Sequence, residues 1–181
     1  MPLPPLGIFG RPAIKGDFES IATVTVGAGG SSSISFSSIP STYKHLQIRA
    51  IAQNSSTTTY SNMRFNSDTA TNYNNHYLDG DGASATAGAN VSDNKLYFGY
   101  LTTSSNTNMF GVMVVDILDY TNTNKYKTIR ILTGKDINGS GGVVELASGA
   151  WRNTNAVTDI NIFPGSNNFA QYSHFALYGV K

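Results

Sequence analysis

The chain of 181 residues contains no cysteine. That excludes a disulfide framework, a cysteine-ligated zinc site and thiol catalysis. Charge is scarce as well: charged residues make up 13% of the chain, against a usual share of ~25%. The 12 basic and 11 acidic residues are scattered without a run of either sign, and the net charge is +1. Nucleic-acid binding needs a basic stripe that neutralises several phosphates, so no nucleic-acid partner is expected. Attraction to an anionic membrane is disfavoured for the same reason. No apolar run approaches the ~20 residues that span a bilayer as a helix. The opening Met1 to Gly10 has no basic region before its apolar residues and is broken by prolines, unlike a secretion signal. Synthesis in a cytoplasm without export by the usual route is the expectation.

Chemistry-bearing motifs are equally sparse. His45, His76 and His174 sit in separate segments with no metal-ligand spacing. Glutamate occurs only at Glu19 and Glu145, and nothing in the pattern points to the carboxylate pair that a glycosidase requires. There is no nucleophile elbow and no phosphate-binding loop. Asp79-Gly80-Asp81-Gly82 alternates oxygen ligands with permissive glycines but lacks the rest of a calcium loop and its closing glutamate, so it reads as a turn. The expectation is a protein that is not an enzyme and carries no catalytic, metal or cofactor residues.

What fills the chain is Ser, Thr, Asn and Gly around a 40% hydrophobic content, enough for one well-packed domain. Hydroxyl and amide side chains compete for the backbone hydrogen bonds of a helix, and β-branched threonine suits the pleat. Period-2 alternation runs through the chain. Ala22, Val24 and Val26 alternate with Thr23 and Thr25. A Gly27–Gly30 turn follows, then Ile34 and Phe36 between serines, so this pair reads as a hairpin. Leu46, Ile48 and Ala50 form the next strand. Further strands are expected near 63–66, 75–78, 95–101, 128–133, 143–147, 157–163 and 174–180. Gln53–Ser61 reads as a polar loop and Asp79–Asp93 as a long loop with no periodicity. Asn138-Gly139 marks a turn between two strands. Met109–Leu118 is apolar on nearly every residue. A strand of that kind is buried on both faces, so its second face needs a cover, either the N-terminal arm or another subunit.

These strands, without a helix among them, predict an all-β, jelly-roll-like antiparallel β-sandwich over residues 19–181. Residues 1–18 read differently. Pro2, Pro4, Pro5 and Pro12 forbid regular helix, so this is an extended Pro-rich arm whose Leu3, Leu6, Ile8 and Phe9 are candidate partner-binding residues. Among the aromatics, Trp151, Tyr77 and Tyr100 are the candidate glycan or interface contacts, since Tyr and Trp offer rigid amphipathic area, and Trp151 fits a place in the core or a trimer interface at least as well as a glycan site.

Three phrases carry a resemblance: Glu19 to Val26, Phe36 to Arg49, and the C-terminal Ser173 to Lys181. They resemble small phage and cyanophage virion proteins of the jelly-roll decoration (cement) or fibre type. The resemblance spans residues 19–181 and leaves the arm uncovered. It implies a homotrimer located in the virion, made in the host cytoplasm. The partners it implies are sister subunits and a major capsid protein or other virion protein. The leading expectation is a capsid decoration protein that stabilises the head. The alternative is a tail-fibre or head-fibre domain that binds a host-surface glycan.

Overall fold

The computed structural model describes residues 16–139 and 141–181. The expected arm therefore lies outside the described residues, except at its end, where Phe18 already belongs to the first strand.

Twelve strands and no helix make up the described chain. They are β1 (Phe18–Thr25), β2 (Ile34–Phe36), β3 (His45–Ala52), β4 (Tyr60–Phe65), β5 (Tyr73–Gly80), β6 (Ala85–Asp93), β7 (Leu96–Tyr100), β8 (Gly111–Leu118), β9 (Lys127–Lys135), β10 (Val143–Trp151), β11 (Ile160–Pro164) and β12 (His174–Val180). Two antiparallel sheets form a sandwich, as the alternation predicts. The large sheet has the order β1-β12-β3-β8-β9-β10-β5-β6, and the small one β2-β11-β4-β7. The chain crosses between them repeatedly, which is why few consecutive strands pair.

Period 2 builds the core directly. Along β3, Leu46, Ile48, Ala50 and Ala52 point inward and are buried, and along β8 Met113, Val115 and Ile117 do the same. They meet Met63 and Phe65 of β4, Leu96 and Phe98 of β7, and Ile160 and Ile162 of β11 from the small sheet. Full burial of each such side chain contributes roughly 1.5–3 kcal/mol relative to exposure.

Two expectations fail in instructive ways. β1 and β2 are not a hairpin: β1 pairs with β12 and β2 with β11, in different sheets. Alternation fixes which side chains share a face, and says nothing about the partner strand. The Gly27–Gly30 turn carries the chain across the sandwich instead. Gly30 has a φ of 76°, and a Cβ there would lie 2.6 Å from the Phe169 carbonyl oxygen, so only glycine fits. The expected loop over Asp79–Asp93 contains β6, which pairs with β5 at the sheet edge. Its residues are exposed on both faces, and the alternating apolar side, Ala85, Ala87, Ala89 and Val91, consists mostly of small side chains, so its hydrophobic period is weak. The turn expected at Asp79–Gly82 lies slightly later: Asp79 and Gly80 end β5, and the Asp81 carboxylate accepts from the Ala83 and Ser84 amides at 2.9 and 2.7 Å. Asn138-Gly139 lies between the paired strands β9 and β10, with both residues at positive φ.

Candidate functional site

Two surfaces on the same strands depart from the ordinary distribution of polar and apolar side chains. The first is the outer face of the large sheet. Val112 of β8 pairs with Ile51 of β3 on one side, and through Gly134 of β9 leads to Val144 of β10. In the adjacent row, Val114 pairs with Leu132, Leu132 with Leu146, and Leu146 with Leu78 of β5. Ile51, Leu78, Val112, Leu132, Val144 and Leu146 are each 47–60% exposed. The next row is polar. Gln47 donates to Asp116 Oδ1 at 2.8 Å, and Arg130 donates to Asp116 Oδ2 from Nη2 at 2.6 Å and from Nε at 3.1 Å. The doubly apolar strand expected over Met109–Leu118 is thus half right. Its inner face is core, and its outer face is apolar where Val112 and Val114 lie, with nothing covering it among the described residues.

The second surface is a cleft of about 480 Å³ on the inner face at the other side of the same strands. β10, β5 and β6 of the large sheet form its floor, and β7 and β4 of the small sheet form its wall. Register sets the floor. Glu145 of β10 pairs directly with Asp79 of β5, and Asp79 with Thr86 of β6. One step along, Tyr77 lies opposite Gly88, where a Cβ would meet the phenol at 2.4 Å, so the glycine lets the ring lie across β6. Asn75 pairs with Asn90, whose amide lies 3.4 Å from the Asn75 side-chain oxygen. From the wall, Tyr100 donates to Asp79 Oδ2 at 3.2 Å, and Thr86 donates to the other oxygen. The Tyr97 and Tyr100 rings meet edge to face at 5.9 Å. Lys95, also on the rim, is paired with Asp93 at 3.0 Å.

The cleft holds unpaired buried polar atoms. Among the described residues, four buried side-chain atoms lack a hydrogen-bond partner. Asn75 Nδ2, Tyr97 Oη and Glu145 Oε1 are buried beneath the surface of this cleft, on residues that line it. The fourth, Asp119 Oδ1, is accounted for by Lys44 Nζ at 3.0 Å. Glu145 is only 3% exposed. Burial, with the Asp79 carboxylate beside it, pushes its carboxyl up to about 7. Burial likewise raises the Tyr97 and Tyr100 phenols, helped by Glu145 and Asp79. Such unsatisfied buried groups are rare in folded proteins and call for an explanation.

Of the residues singled out from sequence, the structure brings Tyr77 and Tyr100 together in this cleft. Trp151 is a correction. It is 1% exposed, stacked on Tyr73 at 6.4 Å and packed on Phe65 at 5.5 Å, and its indole N–H donates to Asp68 at 2.8 Å. A ring so enclosed is core, and it contacts neither a glycan nor a subunit. Leu3, Leu6, Ile8 and Phe9 lie outside the described residues. Asp79, Glu145 and Asn75 were not assigned to a common site, because strand pairing gathers them from distant parts of the sequence. One signal was visible: Glu145 sits alone within the apolar run Val143 to Ala147, at an inward position of the alternation. The histidines do not converge, and no group of three or more potential metal ligands occurs among the described residues.

No family model and no curated protein matches this sequence. Among solved structures, the chain is similar to the crystal structure of a Caenorhabditis elegans galectin, at 9% sequence identity and a TM-score of 0.37, covering 88% of this chain and 95% of that one.

Proposed function

We propose that this chain is a non-enzymatic structural protein of a phage particle, a homotrimeric capsid decoration protein that associates through the outer face of its large sheet. The observation that carries this reading is the pair of apolar rows running from Ile51 and Val112 to Leu146 and Leu78. Contiguous apolar patches of this kind on soluble proteins mark association surfaces. The Gln47–Asp116–Arg130 row beside them supplies the polar border that interfaces carry around an apolar centre. Two sister copies of this chain are the occupants, because a flat sheet face with an apolar half and an ion-paired half suits packing against the matching faces of two further subunits around a three-fold axis. The phage assignment and the number three rest on the resemblance of the strand phrases. The apolar residues of the arm, Leu3, Leu6, Ile8 and Phe9, are the anchor to the capsid protein in this reading.

The test is co-sedimentation of the full-length protein with undecorated capsids of the phage that encodes it. Saturable binding is expected, and its loss on deletion of Met1–Gly16 with the trimer intact. Failure of the full-length protein to sediment would contradict decoration. Full occupancy by the truncated protein would contradict the arm as anchor. The fibre reading, in which the domain binds a host-surface glycan, is favoured by the cleft.

A further inference from the structure

We propose that the cleft between β5, β6, β10 and the β7 edge is a saccharide-binding site, with Glu145, Asn75 and Tyr97 supplying the hydrogen bonds that ligand hydroxyls complete. The inference is independent of the outer apolar face, since the two surfaces lie on opposite sides of the sheet.

The unpaired groups define the ligand. Asn75 Nδ2 is a donor, and Tyr97 Oη both donates and accepts. Glu145 Oε1 accepts when ionised, and the carboxyl donates when protonated. One ligand group answers all three: a hydroxyl, which donates and accepts in turn. Several hydroxyls at close spacing are what a sugar ring presents. An apolar ligand would leave the three groups unpaired. A phosphate or other polyanion would face the Asp79 and Glu145 carboxylates, and Lys95 of the lining is already paired to Asp93. A metal ion would need more ligands than the two neighbouring carboxylates, and both Asp79 oxygens already accept hydrogen bonds from Tyr100 and Thr86.

The walls fit the same class. The Tyr77, Tyr97 and Tyr100 rings give flat amphipathic surfaces against which the C–H face of a sugar packs. Gly88 keeps the Tyr77 ring flat on the floor, where a side chain would lift it. The volume of about 480 Å³ lies within the ~300–1,000 Å³ of small-molecule sites. Burial has raised Glu145 towards neutrality, so its carboxyl changes between acceptor and donor near neutral pH, and a hydroxyl pairs with either form.

The experiment uses the full-length protein on an array of defined oligosaccharides and bacterial surface-polysaccharide fragments, followed by calorimetric titration of the strongest binder. Saturable binding is expected. Asn75→Ala and Tyr97→Phe are each expected to weaken it by ~10-fold or more, as loss of a hydrogen bond to a desolvated partner does. Tyr97→Phe should leave the melting temperature unchanged or raised, because the hydroxyl has no partner within the protein. A melting temperature lowered by several degrees would make that hydroxyl structural and overturn the assignment. So would the absence of any binder on the array, or binding that survives both substitutions. The eluted saccharide should keep its mass; a shortened product would make Asp79 and Glu145 a hydrolytic pair and overturn the non-catalytic reading. A monomeric variant of the outer face should bind with unchanged affinity, so failure of the trimer reading and failure of this one are told apart.

Discussion

The two ends of strand β10 obey opposite rules. At its C-terminal end, Trp151 pairs with Lys127 of β9 and Tyr73 of β5, and the buried polar groups of these three residues are satisfied. The Trp151 indole donates to Asp68. The Tyr73 hydroxyl accepts from the Phe65 amide at 3.1 Å. The buried Lys127 ammonium donates to the carbonyls of Asn122, Lys125 and Thr154 at 2.6, 3.2 and 3.0 Å. At the other end, Glu145 pairs with Thr133 and Asp79, and the ordinary arrangement is inverted on both faces. Inward, a carboxyl is buried with an oxygen unpartnered. Outward, Val144 and Leu146 stand exposed beside Leu132 and Leu78. One strand, nine residues long, passes from a structural end to an end that stability alone does not explain. Local rules fail at functional sites more than elsewhere, and here they fail back to back.

This contrast can be broken by substitution. The largest effect belongs to the orthodox end: Trp151→Ala should cost ~3–5 kcal/mol, because it opens a cavity among Tyr73 and Phe65 and removes one of the hydrogen bonds to the Asp68 carboxylate. Chemical denaturation measures it. Lys127→Met should cost about 2 kcal/mol or more, since three carbonyls lose their donor. A cost near zero at either position would erase the distinction between the ends.

At the inverted end the sign changes. The Glu145 carboxyl holds its proton to about pH 7 in the folded protein, against 4.5 for an unperturbed glutamate. Between those values the folded state binds more protons than the unfolded one, so stability falls as pH rises from about 4.5 to about 7 and is lowest above that. Glu145→Gln should therefore stabilise the protein at pH 8, by on the order of 2 kcal/mol. The gain should vanish near pH 4, where the wild-type carboxyl is protonated in both states. Denaturation midpoints at the two pH values check this. Destabilisation at pH 8 would show that Glu145 is paired. The smallest effect is expected on the outer face. Leu132→Lys combined with Leu146→Glu, which sets opposite charges on directly paired positions, should change the stability of the folded subunit by only about 0.5 kcal/mol.

The fold was largely legible in the sequence, because burial on one face of a strand writes itself as alternation. β3, β8 and β12 could be read within a residue or two. β6 was missed, since on this exposed edge strand the alternating Ala85, Ala87, Ala89 and Val91 are mostly small side chains that write only a weak period. The β1–β2 pairing was misread because sequence adjacency stood in for partnership, and the Gly27–Gly30 turn serves a crossing as well as a hairpin. Trp151 was misplaced by its polar neighbours Arg152 and Asn153, which leave the strand while the indole turns inward. The cleft was legible only in fragments. Tyr77 and Tyr100 were chosen for their chemistry, whereas Asp79 and Glu145 become neighbours only through the β5–β10 register.

In the proposed reading, the exposed half of the large sheet is an interface between copies of this chain. Light scattering after size exclusion tests it on the wild type and on the Leu132→Lys, Leu146→Glu variant. The predicted result is a mass of three times the 19.3 kDa chain for the wild type, and a folded single chain for the variant. A monomeric wild type, or a trimer that survives both substitutions, would contradict it.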